Sequence, residues 1–135
     1  MQRILLACLG LGVSGASLAE DVTNMDRLIC AASQAHICLE TGQCFKTTPV
    51  ELDMPEFVVI DTKERSISTT KASAQNRSSK FESYGRSDGL LQLQGVDQGR
   101  AFSFVIHEAT GLMTAAIARD GMSVSVFGAC TAADP

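Results

Sequence analysis

The chain has no tryptophan, one tyrosine and three prolines, and aromatic residues make up 5% of its 135 positions. A core must therefore come from Val, Ile, Leu, Met and the six phenylalanines. An excess of cations is lacking too: 11 Lys and Arg face 15 Asp and Glu, for a net charge of −4. That balance argues against nucleic acid as a partner, because such binding rests on neutralising phosphates. No apolar run after Ala19 approaches the ~20 residues of a membrane-spanning helix, so no transmembrane segment is expected in the mature chain.

The usual chemical motifs are missing as well. There is no phosphate loop and no dinucleotide fingerprint. His107-Glu108 begins like a zinc-protease motif, but Gly111 stands where the second histidine is required. The other histidine, His36, has no second ligand in register, and two histidines are too few for a His₃ site. Gly12-Val13-Ser14-Gly15 lacks the spacing of a nucleophile elbow. Ser68, Ser73, Ser78, Ser79 and Ser83 have no histidine nearby in sequence, and Asp61 and Asp97 read first as strand-end and turn residues. A binding role is thus expected ahead of catalysis, with no cofactor and no metal.

Against these absences stands a distinctive N-terminus. Met1–Ala19 carries one cation, Arg3, then an apolar stretch from Ile4 to Val13, then small residues ending Ser17-Leu18-Ala19. This is the order of a cleaved secretory signal peptide. Residues 1–19 are expected to be removed, leaving 20–135 as one domain and taking the net charge from −4 to −5 with the loss of Arg3. Leu5-Leu6-Ala7-Cys8 loosely resembles a lipidation box. Only Ile4–Ala7 would precede that cut, fewer than the ~7 apolar residues such a region needs. The protein is therefore expected to be periplasmic or secreted, and not lipid-anchored.

Loss of Cys8 leaves Cys30, Cys38, Cys44 and Cys130. An even number of cysteines in an exported chain reads as a disulfide framework. Four cysteines admit three connectivities. Cys38–Cys44 is favoured because Thr41-Gly42 lies between them as a turn, and Cys30–Cys130 would then tie the N-terminal region to the last strand. The pairing Cys30–Cys44 with Cys38–Cys130 stays open. Seven, five and eighty-five intervening residues do not make a zinc knuckle.

Two kinds of periodicity follow. Val22, Met25, Leu28 and Ile29 recur at spacings of three and four, which predicts an amphipathic helix over about 22–35. From Phe57 onward the period becomes two. Expected strands are 57–60, 67–70, 79–84, 90–94, 101–107, 112–118 and 122–127, with Phe102, Phe104 and Ile106 on one face of the clearest of them. Asp88-Gly89, the Gly95–Gly99 stretch, Gly111 and Asp120-Gly121 mark the turns. The expected fold is mainly β: a small antiparallel up-and-down barrel or coiled meander of seven or eight strands, with one N-terminal helix packed on it and disulfides tying it.

Charge divides the chain unevenly. Residues 20–62 carry −6, residues 63–86 carry +4 and residues 87–135 carry −3. The basic middle holds Lys71, Ser73, Arg77, Ser78 and Lys80, a candidate partner-binding loop.

Leu93–Ser103, Thr110-Gly111-x-Met113, Phe127–Cys130, the Cys30–Cys44 spacing and Phe57–Asp61 together resemble a group of short secreted proteins of Proteobacteria, over most of the mature chain. The resemblance implies a bacterial envelope or secreted protein and implies no activity. The expected architecture is also similar to the periplasmic inhibitors of c-type lysozyme, which use a Ser- and Lys-bearing loop. Their Ser-Gly-x-x-Tyr run and tryptophan strand are not present here. The resulting expectation is a non-enzymatic envelope protein that binds an unidentified protein or small ligand. The alternatives are an inhibitor of a lysozyme-like or other hydrolase, and a lipocalin-like carrier of a small apolar ligand.

Overall fold

The computed structural model describes residues 20–133. The expected leader, residues 1–19, lies outside them. Within the described residues are ten strands: β1 (Arg27–Leu39), β2 (Cys44–Thr47), β3 (Phe57–Asp61), β4 (Ser66–Thr69), β5 (Ser78–Lys80), β6 (Ser83–Ser87), β7 (Leu90–Asp97), β8 (Arg100–His107), β9 (Leu112–Arg119) and β10 (Met122–Ala132). A single 3₁₀ turn, Val50–Leu52, lies between β2 and β3. All pairings are antiparallel. The sheet runs β5-β4-β3-β1-β10-β9-β8-β7-β6, with β2 on the edge of β1 beside β3.

β5 and β6 stand at opposite ends of that order, yet only Phe81 and Glu82 separate them. The sheet must curl to satisfy this, and the result is a half-barrel. At the seam the Phe81 amide donates to the Arg65 carbonyl on the β4 side, and the Glu82 amide donates to the Gln94 carbonyl on β7. Phe81 is 2% exposed and plugs the seam. Gly95 allows the close approach, since a Cβ there would meet the Lys80 carbonyl at 2.9 Å.

The expected helix over 22–35 is not formed; residues 27–39 are one long strand instead. Pairing with β10 over residues 28–39 holds it extended, with a β-bulge between Ala32 and Gln34. Leu28, Cys30 and Ala32 face inward before it, and Ala35, Ile37 and Leu39 face inward after it. One extra residue switches the inward set from even to odd numbers. The bulge accounts for the three-residue step from Ala32 to Ala35, whereas Val22 and Met25 precede β1 and Leu28 and Ile29 lie on opposite faces of it, so their helical spacing is coincidental. The strand count is likewise ten rather than seven or eight: most of β1 lies in the stretch expected to be helical, β2 is the short second arm of the turn between Cys38 and Cys44, and the stretch 79–84 divides into β5 and β6 at the seam.

From β6 to β10 every connection is a hairpin whose register matches the alternation of apolar residues. Asp88-Gly89 (φ 53° and 75°) and Gln98-Gly99 (φ 48° and 76°) both take the left-handed conformation that suits a two-residue hairpin to the sheet's twist. Cys30 is bonded to Cys130 across β1 and β10, and Cys38 to Cys44 across β1 and β2.

The chain before β1 is strapped to the end of the half-barrel where β8 turns into β9. Val22, 1% exposed, enters the core, and its amide donates to the Glu108 carbonyl. At the start of β1, the Asp26 carboxylate accepts from Thr62 Oγ1 and pairs with Lys63 at 3.3 Å. The bonds to Lys63 and Thr62 hold its pKa below the usual carboxylate value, and the Thr23 bonds do the same for Asp21. Since both folded-state values lie below those of the unfolded chain, their contribution is full above the unfolded pKa of about 4 and is lost as pH falls through the folded one. Acid titration followed by amide exchange at Thr62 and Lys63 should therefore show faster opening below about pH 4. Asp26→Asn should flatten that dependence; an unchanged profile in the variant would show the carboxylate is not responsible.

Candidate functional site

Burial along the inward rows is uneven, and the unevenness locates the site. On β8, Ile106 is fully buried while Phe104 and Phe102 are only half-buried. On β9, Met113 and Ala115 are buried and Ile117 is not; on β3, Ile60 is buried and Val58 is not. The half-barrel is packed at the end holding Leu28, Cys30, Ile60, Ile106 and Cys130. At the other end it is hollow.

The hollow is a cavity of about 170 Å³. Its walls are Val58 and Ile67 on one side and Phe102, Phe104, Ile117 and Val124 on the other, with Leu52 and Met54 from the 3₁₀ turn region at its edge. Phe102 and Phe104 meet edge to face at 6.0 Å. The size is that of an engineered apolar cavity of ~150 Å³ that admits benzene.

The rim is charged. Asp97, Arg100 and Arg119 continue the inward rows of β7, β8 and β9 to the hairpin end, and all three line the cavity with Arg77 and Ser79. Ser79 Oγ donates to Asp97 Oδ2 at 2.5 Å. Arg77 Nη1 donates to the Asp53 carbonyl at 2.8 Å. Arg27, Arg65 and Arg86 are engaged elsewhere, with Asp61, with Tyr84 and the Glu82 carbonyl, and with Glu108. The guanidinium groups of Arg100 and Arg119 make no hydrogen bond or ion pair with the described residues.

The residues of the basic middle are not gathered into one projecting loop. Arg77 and Ser78 line the cavity, while Lys80 Nζ donates to the Glu64 carbonyl away from it. Ser73 sits in a turn where its hydroxyl accepts from the Gln75 amide, and Lys71 is exposed beside it. Thr69 Oγ1 stitches the segment shut by bonding to the Gln75 carbonyl at 2.7 Å and accepting from the Arg77 amide at 3.1 Å. Asp61 caps its own turn by accepting from the Lys63 and Glu64 amides, and it pairs with Arg27.

Neither histidine lines the cavity. His36 lies on the outer face against Phe127, with ring centroids 6.2 Å apart, and His107 contacts Thr110 Oγ1. Among the described residues no group of three or more His, Cys, Asp or Glu could hold a metal ion, and no helix is long and apolar enough to cross a membrane.

The residues that sequence reasoning passed over are Arg100 and Arg119. The signal was present, because each extends an alternating inward row, Arg100-Phe102-Phe104-Ile106 and Met113-Ala115-Ile117-Arg119. A charge placed on the apolar parity of a strand is what distinguishes them from surface cations. No protein-family model, no curated protein and no solved structure matches this chain.

Proposed function

We propose that this chain is an exported, non-enzymatic binding protein of the bacterial envelope that takes a small apolar group into its half-barrel. The observation that carries the reading is the cavity itself. Its walls are the inward rows of a rigid sheet, so the hollow is built into the fold. An apolar wall with a few polar groups at the rim is the usual form of a small-molecule site. The same cavity supports a carrier of short apolar ligands over a carrier of long ones, since its volume matches a benzene ring.

Export is supported by the order of charge, apolar stretch and small residues in Met1–Ala19, and by two disulfides that suit an oxidising compartment. Mass spectrometry of the native protein should find a chain starting at Glu20 with four fewer hydrogens and no lipid. A retained leader or an adduct at Cys8 would refute that part.

An inhibitor loop would have to present Lys71, Ser73 and Lys80 together. Their dispersal favours the cavity as the site, and intact activity of c-type lysozyme in the presence of the protein is the expected result.

For the cavity, the probe is toluene, a neutral apolar molecule of matching size. A heteronuclear NMR titration should shift the resonances of Val58, Ile67, Phe102 and Ile117. Val58→Phe, which fills the hollow, should abolish the shifts while the protein stays folded by circular dichroism. No change at aqueous saturation would sink the proposal.

A further inference from the structure

We infer that the natural occupant of the cavity is a small amphiphilic monoanion: a carboxylate bearing an aryl or short alkyl tail. Its tail fills the apolar hollow, and Arg100 and Arg119 hold its head. The inference rests on the cavity reading above and adds the sign and chemistry of the ligand.

Register is the first observation. Ala101 pairs with Ala118 at the end of the β8–β9 ladder. Arg100 and Arg119 are each one residue further out, side by side at the mouth. Like charges opposite one another on neighbouring strands destabilise a sheet. Nearby acid offsets them only in part: Asp97 is the register partner of Arg100, its carboxylate is bonded to Ser79 and forms no ion pair with Arg100, and one carboxylate cannot balance two guanidinium groups. An anion seated between the two guanidinium groups would remove the repulsion. Arginine's planar fork also suits a carboxylate better than a lysine would.

Local charge is the second observation. The chain as a whole carries −4, whereas the cavity is lined by three arginines, Arg77, Arg100 and Arg119, and one acid, Asp97. Arg77 bonds a main-chain carbonyl and the Gln75 side chain, so its charge is not neutralised by an acid. A basic mouth on an acidic protein selects anions, and the low-dielectric wall behind it strengthens the attraction.

Size is the third. About 170 Å³ excludes long lipids but accommodates a ring or a short chain. With the head outside the hollow, octanoate is a suitable probe.

The test compares octanoate, octan-1-ol and octylammonium by calorimetry on the wild-type chain and on Arg100→Gln, Arg119→Gln and the double variant. Octanoate should bind at least ~10-fold tighter than octan-1-ol, and more weakly as salt is raised. The double variant should bring octanoate down to the level of octan-1-ol measured on the same variant. If octan-1-ol binds and octanoate binds no tighter, or if the double variant keeps the preference, the anion inference falls while the cavity reading stands. Tighter binding of octylammonium overturns it by sign. If none of the three binds, the anion inference falls, and the cavity reading falls with it only if toluene fails to bind as well. Light scattering in parallel should show a monomer; a dimer whose interface protects the cavity and resists octanoate would put a second copy there and overturn the inference.

Discussion

Replacing Cys30 and Cys130 together by alanine is expected to lower the stability of the domain by about 4 kcal/mol, enough to leave it marginal at 37 °C. The two cysteines are 100 residues apart in sequence. In the chain-entropy treatment, cutting a cross-link over such a loop restores about 4 to 5 kcal/mol of freedom to the unfolded chain. Both cysteines are also core residues, 0% and 1% exposed, between the inward faces of β1 and β10. Their sulfurs therefore leave a hole when removed, which adds to the loss. The control is Cys38→Ala with Cys44→Ala. That bond spans a separation of six residues at the β1–β2 hairpin, where the same treatment gives about 2 kcal/mol. Urea denaturation of the two double variants gives the comparison directly. A larger loss from the hairpin bond would mean that β1 and β10 are held by packing alone.

The contrast between β1 and the later strands shows where the fold was legible in the sequence. Leu91 and Leu93, Phe102 to Ile106, Met113 to Ile117, and Met122 to Val126 alternate without interruption, and each hairpin between them is two to four residues long. Period two then has only one reading. β1 fails this test for a physical reason. Its bulge moves the inward set by one residue, and its alanines at 31, 32 and 35 suit a helix as well as a strand. Tertiary pairing with β10 along almost its whole length overrides that local preference. The closing of the half-barrel was not legible at all. It depends on Phe81 and Glu82 crossing from one edge of the sheet to the other, and nothing in a short polar stretch such as Ser78–Ser83 reports a long-range crossing. The cavity mouth lies between these cases. The walls follow from alternation, and so does the inward parity of Arg100 and Arg119. That the hollow forms at their end depends on how far β3, β4 and the 3₁₀ turn stand from β8–β10, which no local pattern encodes.

Glu108→Ala is expected to cost about 3 kcal/mol and to free the segment before β1 from the half-barrel. Glu108 is 6% exposed, and its carboxylate is 2.8 Å from Arg86 Nε, which is itself largely covered. The same carboxylate accepts from the Asn24 amide at 3.4 Å, while Arg86 Nη2 donates to the Met25 carbonyl at 2.6 Å. One ion pair thus fastens two points of a segment that has no strand partners of its own. Removing one partner of a buried pair leaves the other charge uncompensated, which costs about 3 to 5 kcal/mol. The lower end applies because the Arg86 side chain keeps 24% exposure. Two other ion pairs among the described residues give the scale. Arg27–Asp61 and Lys63–Asp26 have one partner 46% and 77% exposed. Pairs of that kind contribute under about 1 kcal/mol. Glu108→Met combined with Arg86→Met should recover most of the loss, since the apolar pair leaves no buried charge. Proteolysis tells whether the strap is what fails: Glu108→Ala should expose a new cleavage site among residues 20–26 while β7–β10 stay protected. If the single and double variants lose the same stability, the two side chains are not coupled, and the strap is held by Val22 in the core instead.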